Sequence, residues 1–323
     1  MNFRTEIDID RWQHPIDYHH NILSLGSCFA DNISAKLREN KFRVTASPTG
    51  ILFNPASIAS ALERIVECRE VSSDELILCE GRYVSYDFHS SLGGESPESA
   101  LQIMNKAIDH AHRALQSTDF LILTLGTAWV YRLNANGDIV ANCHKQPQRL
   151  FHREMLGVEE IADIMSRAIE QLPRPMHITL TVSPVRHLGD GLTGNSLSKA
   201  TLRLAIEELT KRHDNVGYFP SYEILMDDLR DYRFYAEDMT HPSPTAIEYI
   251  AKRFFDAALS PRAKELMPQI RQIVRAAQHR PLNPQSEEHK AFCRKQLAAI
   301  EQLAEIDFSE EKGMFERILQ INL

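Results

Sequence analysis

Asn21-Ile22-Leu23-Ser24-Leu25-Gly26-Ser27-Cys28-Phe29-Ala30 decides the fold class. Asn21 to Leu25 predicts a short buried strand, and residues 29–40 predict a helix with Ile33, Ala35 and Leu37 among its apolar positions. A small, Gly-led turn joins the two, which is where α/β proteins present a reactive side chain. The positive end of a helix dipole stabilises negative charge there and lowers a thiol pKa. Cys28, or Ser27 beside it, is therefore a candidate nucleophile. Its complement lies far along the chain, in Asp238-Met239-Thr240-His241. There His241 could take a proton and Asp238 could hold the other ring nitrogen in the useful tautomer.

Working outward, strands and helices alternate. A β-like segment at 42–46 and a turn-rich passage at 48–55 lead into a helix at 56–67. Residues 76–88 predict a hairpin around Glu80-Gly81, and 96–115 a capped amphipathic helix. A second buried strand, 119–125, ends in Gly126-Thr127 and precedes a hairpin turning at Asn136-Gly137. A helix at 157–171 and a third strand, 177–182, end in Ser183-Pro184. A Gly-rich loop at 188–194 then precedes a helix capped by Asn195 or Ser196 and running to about 212. A fourth strand is expected at 216–219 and a helix at 243–258. This order predicts a mostly parallel sheet with helices on both faces. The α/β domain spans 1–260, and 261–323 reads as a helical extension broken at Arg280-Pro281-Leu282-Asn283-Pro284.

The composition of the 323 residues is that of an ordinary globular protein, 43% hydrophobic and 25% charged, which excludes disordered and fibrous classes. A formal charge of −8 argues against a nucleic-acid binder. No apolar run reaches the roughly 18 residues of a membrane span, and the N-terminus lacks a signal-peptide core. The five cysteines, without a Cys-x-x-Cys pair, suit reduced thiols and a cytoplasmic setting. No metal-binding spacing occurs among the 14 histidines, and the loop at 189–194 lacks the Lys-Ser/Thr ending of a phosphate loop. Neither metal nor cofactor is expected.

In an open parallel sheet, sites form at the carboxyl ends of the strands. Four passages converge there: residues 26–30, Gly126-Thr127, 183–187 and the Asp238/His241 loop. Each also has a structural reading. Cys28 could be core packing, Ser27 a helix cap, Asp238 a turn residue, and Arg186 the partner of a structural carboxylate.

Gly50-Ile51-Leu52-Phe53-Asn54-Pro55, Asn142-Cys143-His144-Lys145, Ser183-Pro184-Val185-Arg186-His187 and Ser198-Lys199 complete a set of motifs with residues 26–30 and 238–242. Through them the chain resembles the GSCFA family, named for its pentapeptide, and through that family the SGNH/GDSL hydrolase superfamily. The resemblance covers roughly residues 20–260. It implies a flavodoxin-like three-layer α/β/α sandwich with a mostly parallel sheet. Laid on the superfamily blocks, Cys28 falls on the nucleophile, Ser27 on the preceding aspartate, and Asp238 and His241 on the final Asp-x-x-His. A Cys28–His241–Asp238 triad is implied, with Ser27 as the alternative nucleophile.

For the oxyanion hole the resemblance implies the amides of Cys28 and Gly50, with Gly93 or Gly94 as competitors for the latter. The third block keeps Gly126, but the position of its Asn reads Ala128, so Asn54 and Thr127 are the nearest substitutes. Such a donor is typically worth about 3 kcal/mol of transition-state stabilisation. Gly126, His89, His144, Ser183, Arg186 and His187 are the expected substrate contacts. The implied activity is hydrolysis or transfer of an acyl group on an ester, thioester or acylated carbohydrate-type small molecule. The alternative is a non-catalytic ligand-binding protein on a degenerate SGNH scaffold. Oligomeric state is left open.

Overall fold

The computed structural model describes residues 5–283 and 286–320. Residues 1–4 and 321–323 of the expected ranges, and Pro284 of the expected break, lie outside the described residues. A five-stranded sheet forms the centre, from β1 (Asn21–Gly26), β2 (Arg43–Ala46), β5 (Phe120–Leu125), β9 (His177–Val182) and β10 (Val216–Tyr218). Its order is β10-β9-β5-β1-β2, and every pairing is parallel. The chain winds outward from β1 in both directions, so the topological switch point lies at the carboxyl ends of β1 and β5.

Alternation along the strands sorts side chains into two layers. Ile22, Phe120 and Ile122 face a cluster containing Phe29, Ile33 and Leu37 of α1 (Cys28–Glu39) and Phe254 of α7 (Pro244–Ala258). Leu23, Leu25, Leu121, Leu123 and Leu125 face the opposite cluster. That one is built from α2 (Pro55–Glu67), α4 (Val158–Glu170) and α5 (Gly191–Arg212), with Ala111 and Leu115 of α3 (Pro97–Gln116). A sheet buried on both faces explains why its strands read as continuous apolar runs. The result is a three-layer α/β/α sandwich.

Two antiparallel additions sit over the carboxyl ends. One is the hairpin β3 (Leu76–Cys79) and β4 (Arg82–Ser85). The other is a three-stranded sheet, ordered β7-β6-β8, of β6 (Trp129–Leu133), β7 (Ile139–Val140) and β8 (Phe151–Met155). The expected hairpin at Asn136-Gly137 thus gains a third strand. The expected loop at 188–194 is half helix, because α5 already starts at Gly191, where φ is +66°. A short α6 (Ser221–Glu223) runs into a π-helical turn, Ile224–Leu229.

The C-terminal helices α8 (Pro261–Gln278), α9 (Glu287–Gln302) and α10 (Ser309–Gln320) build no separate core. Ile270, Ile273, Cys293, Phe308 and Phe315 are buried in the same cluster as Phe29 and Leu37. Lys41 and Glu311, both largely buried, pair at 2.6 Å, and Arg271 donates to Asn40 at 2.6 Å. Among the described residues no helix is long and apolar enough to cross a membrane.

Candidate active site

Gly26 ends β1 with φ +134°, and a Cβ there would lie 2.2 Å from the Thr124 carbonyl oxygen. Only glycine lets β1 turn sharply against β5 at this point. The next residue, Ser27, is buried and caps α1, its hydroxyl accepting from Phe29 N–H at 3.3 Å. Cys28 is thereby left as the first residue of α1, half-buried on the wall of a 910 Å³ cavity. Burial pushes its thiol pKa up and Asp31 adds to the rise. The N–H groups of Cys28 and Phe29, and the charge of Lys199, pull the other way.

His241 and Thr240 line the same cavity, on the loop before α7. Asp238 organises this loop. Its Oδ1 accepts from the N–H of Thr240 and of His241, each at 2.9 Å, and its Oδ2 lies 2.6 Å from His241 Nδ1. A carboxylate only accepts, so Nδ1 carries the proton and Nε2 is left with the lone pair of a base. These bonds hold the Asp238 carboxyl at about 2, well below the ordinary value. Met239 takes φ +56° to close the turn. No hydrogen bond joins Cys28 to His241 among the described residues, although one cavity holds both.

Under the cavity, the Gly126–Ala128 turn is held from two sides. The carbonyl of Phe53 accepts from Gly126 N–H at 2.7 Å and Thr127 N–H at 3.0 Å. Ser198 Oγ accepts from Ala128 N–H at 2.8 Å and meets the Thr127 hydroxyl at 3.1 Å. Lys199, 1% exposed, donates to the carbonyls of Gly126 at 2.6 Å and Ser183 at 2.7 Å. Desolvation lowers its pKa to about 7. Asn54 caps α2, its Oδ1 accepting from Ser57 N–H at 2.8 Å. Asn54 also lines the cavity, and with Oδ1 engaged in the cap its Nδ2 is the side-chain donor not used there.

The upper wall carries aromatic rings and cations. Arg153 lies 4.2 Å over the Trp129 ring and pairs with Asp190. Arg186 lies 3.9 Å over Tyr235 and 5.1 Å over Tyr232, and its N–H donates to Thr240 O at 3.1 Å. His187 packs edge-on against Phe53 with Nε2 buried and unpartnered. Desolvation takes its pKa down to about 4, so the ring is neutral at neutral pH. His89 also lines the cavity, its Nδ1 accepting from Ser91 N–H at 3.3 Å.

The structure therefore gathers Cys28, His241, Asn54, Thr127, His89, Arg186 and His187 around one cavity, with Asp238 behind His241. Other expected groups lie outside it or are engaged elsewhere. Ser27 spends its buried hydroxyl on the helix cap. The Gly50 N–H donates to Ser47 O at 2.8 Å inside a turn, so it cannot serve an oxyanion there. Neither Gly93 nor Gly94 lines the cavity. Gly94 N–H donates to Tyr83 O at 3.0 Å, and Gly93 N–H to Ser90 O at 3.2 Å. Thr127 lines the cavity, but its N–H and hydroxyl are both engaged below. Gly126 and Ser183 are buried and are not among the residues that line the cavity.

His144 is also structural. Its Nε2–H donates to Ser85 O at 2.8 Å and its Nδ1 meets Ser90 Oγ at 3.1 Å, which locks the 142–145 loop to the end of β4. Arg186 has no carboxylate partner among the described residues, so the structural-pair reading fails. Nor do three or more His, Cys, Asp or Glu side chains gather among them as a metal site would require.

Lys199, Arg153, Trp129 and Asp190 were given no role by sequence reasoning. Lys199 had a signal, since it shares a helical face with Leu202 and Ile206, where a lysine is out of place. Arg153 had none, as it reaches the cavity only through the pairing of β8 with β6.

No curated protein matches this sequence. A solved structure, described as "a putative platelet activating factor from Streptococcus pneumonia", overlaps 73% of this chain and 83% of its own at 13% identity and a TM-score of 0.37, too loose a likeness to carry an argument. The GSCFA family model matches residues 21–254, and the model of the GSCFA domain protein's C-terminal domain matches residues 270–321. With most of its length so matched, the chain belongs to the GSCFA family.

Proposed function

We propose that this protein is an acyl-transfer enzyme of SGNH type, with Cys28 as nucleophile, His241 as base and then acid, and Asp238 as the group that orients His241. The observation that carries this reading is the Asp238–His241 pair at 2.6 Å, with Nε2 left as a base on the cavity that holds Cys28. Cys28 Sγ attacks the acyl carbon of an ester or thioester while its proton passes to His241 Nε2. The S–C bond forms, the bond to the leaving oxygen or sulfur breaks, and that atom takes the proton from His241. Water or a substrate hydroxyl then gives its proton to His241 and attacks the thioester, returning the thiol. Because the free thiol is held up by burial, proton removal accompanies attack. The Cys28 N–H, which has no acceptor within α1, and Asn54 Nδ2 are the donors for the oxyanion.

A second reading, a ligand-binding protein without turnover, draws on the raised Cys28 pKa and the missing Cys28–His241 hydrogen bond. Intact-mass analysis after exposure to p-nitrophenyl acetate and butyrate separates the two. An acyl adduct on Cys28, lost in Cys28→Ala and slowed by about 10²-fold or more in His241→Ala, is the expected result. Absence of any Cys28 adduct in wild type, or equal rates in His241→Ala, would sink the acyl-transfer reading.

A further inference from the structure

The molecule carries a formal charge of −8, yet its cavity wall holds Lys145, Arg153 and Arg186 against the single acid Asp190. Two of those cations are already answered. Arg153 pairs with Asp190, and Lys145 lies 3.6 Å from Glu80. Arg186 is different. Its guanidinium is half-buried against Tyr235 and Tyr232, and it forms no ion pair with a carboxylate among the described residues. Tyr235 shares a side-chain hydrogen bond with Arg186, and the remaining N–H groups of the guanidinium's five have no carboxylate among the described residues, leaving donors for a carboxylate or phosphate. The main-chain N–H of Arg186 donates to Thr240 O, which ties the backbone of Arg186 to the residue preceding His241.

We propose that Arg186 forms an anion subsite, and that the acyl donor or acceptor of this enzyme carries a phosphate or carboxylate which Arg186 recognises. This assignment rests on the acyl-transfer reading for its role, but not for its geometry. The buried Tyr235 ring covers one face of the guanidinium and strengthens the contact from that side, while Tyr232 is exposed. With Lys145 and Arg153 answered by Glu80 and Asp190, Arg186 is the lining cation left to draw an anion into the cavity.

Calorimetric titration of the full chain with inorganic phosphate and, separately, with succinate tests it, alongside the rate of Cys28 labelling by iodoacetamide. Saturable binding of at least one anion, with slowed labelling, is expected, and the tighter of the two identifies the anion class. Arg186→Gln should weaken that binding by about tenfold or more, and Arg186→Lys by less, since the charge stays while the fork is lost. Should the Gln variant fail to fold, the Lys variant decides, because an anion site without its fork must still bind more weakly than wild type. Failure of wild type to bind either anion, or undiminished binding in the folded variants, would overturn the subsite and leave Arg186 as a brace for the His241 loop. Anion binding through Arg186 with no Cys28 adduct would keep the subsite and remove the acyl-transfer reading instead.

Discussion

Lys199 holds Gly126 from inside the protein, its Nζ 2.6 Å from the Gly126 carbonyl oxygen and 2.7 Å from that of Ser183. One buried amine thus spans the carboxyl ends of β5 and β9, where the turn under the cavity begins. Its pKa is lowered to about 7 in the fold against 10.5 as the ordinary value. Between these values the unfolded chain binds the proton and the folded chain does not, so folding gains stability as pH rises across that window. Lys199→Met removes both hydrogen bonds and should cost about 1–3 kcal/mol near pH 9. Near pH 6 the deficit should shrink, because wild type then carries a buried charge the variant lacks. Urea unfolding of both proteins at the two pH values checks this; a deficit that grows on acidification would refute it.

The thiol of Cys28 is raised above 9.0, first by burial and then by Asp31 in the first turn of α1. Site-resolved labelling by iodoacetamide in the free protein should therefore keep accelerating beyond about pH 9. Asp31→Asn removes an opposing charge and should speed labelling near pH 8 by about two- to threefold. A labelling profile with a midpoint near neutrality would contradict the burial argument.

Asp238 is exposed, and its value lies in direction rather than stability. Asp238→Asn should slow acylation of Cys28 by about 10²–10⁴-fold, through loss of the fixed tautomer, while the melting temperature stays within about 2 °C of wild type. The carboxyl sits at about 2, so Asp238 should stay ionised at neutral and mildly acidic pH. Paired measurement of acyl-adduct formation and thermal unfolding distinguishes this from simple misfolding.

Truncation after residue 260 should not leave a stable core. It would strip Ile270, Ile273, Phe308 and Phe315 from the cluster that buries Phe29 and Leu37, and leave Lys41 without Glu311. Each fully buried side chain of this kind contributes about 1.5–3 kcal/mol, so several together match the whole stability of an ordinary domain. The truncated chain is expected to aggregate or to lose cooperative unfolding in calorimetry. A soluble fragment with an unchanged melting temperature would show the extension to be independent.

Much of the frame was legible beforehand. The two strands read as buried runs, 21–25 and 119–125, lie at the centre of the sheet with the strands expected at 177–182 and 216–219 beside them, because strands covered on both faces need apolar sequence. β8 was missed because Phe151-His152-Arg153-Glu154-Met155 is a half-exposed strand without a clean apolar face. The start of α5 was misplaced because its first turn contains Gly191 and Gly194, which read locally as a loop.

At the site, the sequence by itself determined what stands next to what along the chain: Gly26 before Ser27 and Cys28, and Asp238 three residues from His241. Local turns and caps follow from such spacing, so their geometry could be anticipated. Only the tertiary structure decided which polar groups remain free to act. Ser27, Gly50, Thr127 and His144 carry suitable chemistry, but their donors and acceptors are taken by Phe29, Ser47, Phe53 and Ser85. Lys199 is engaged in the same way, drawn inward to two carbonyls, whereas Arg186 is left without a carboxylate. Folding must pair nearly every buried polar group, and those partners come from distant parts of the chain that residue order alone does not reveal.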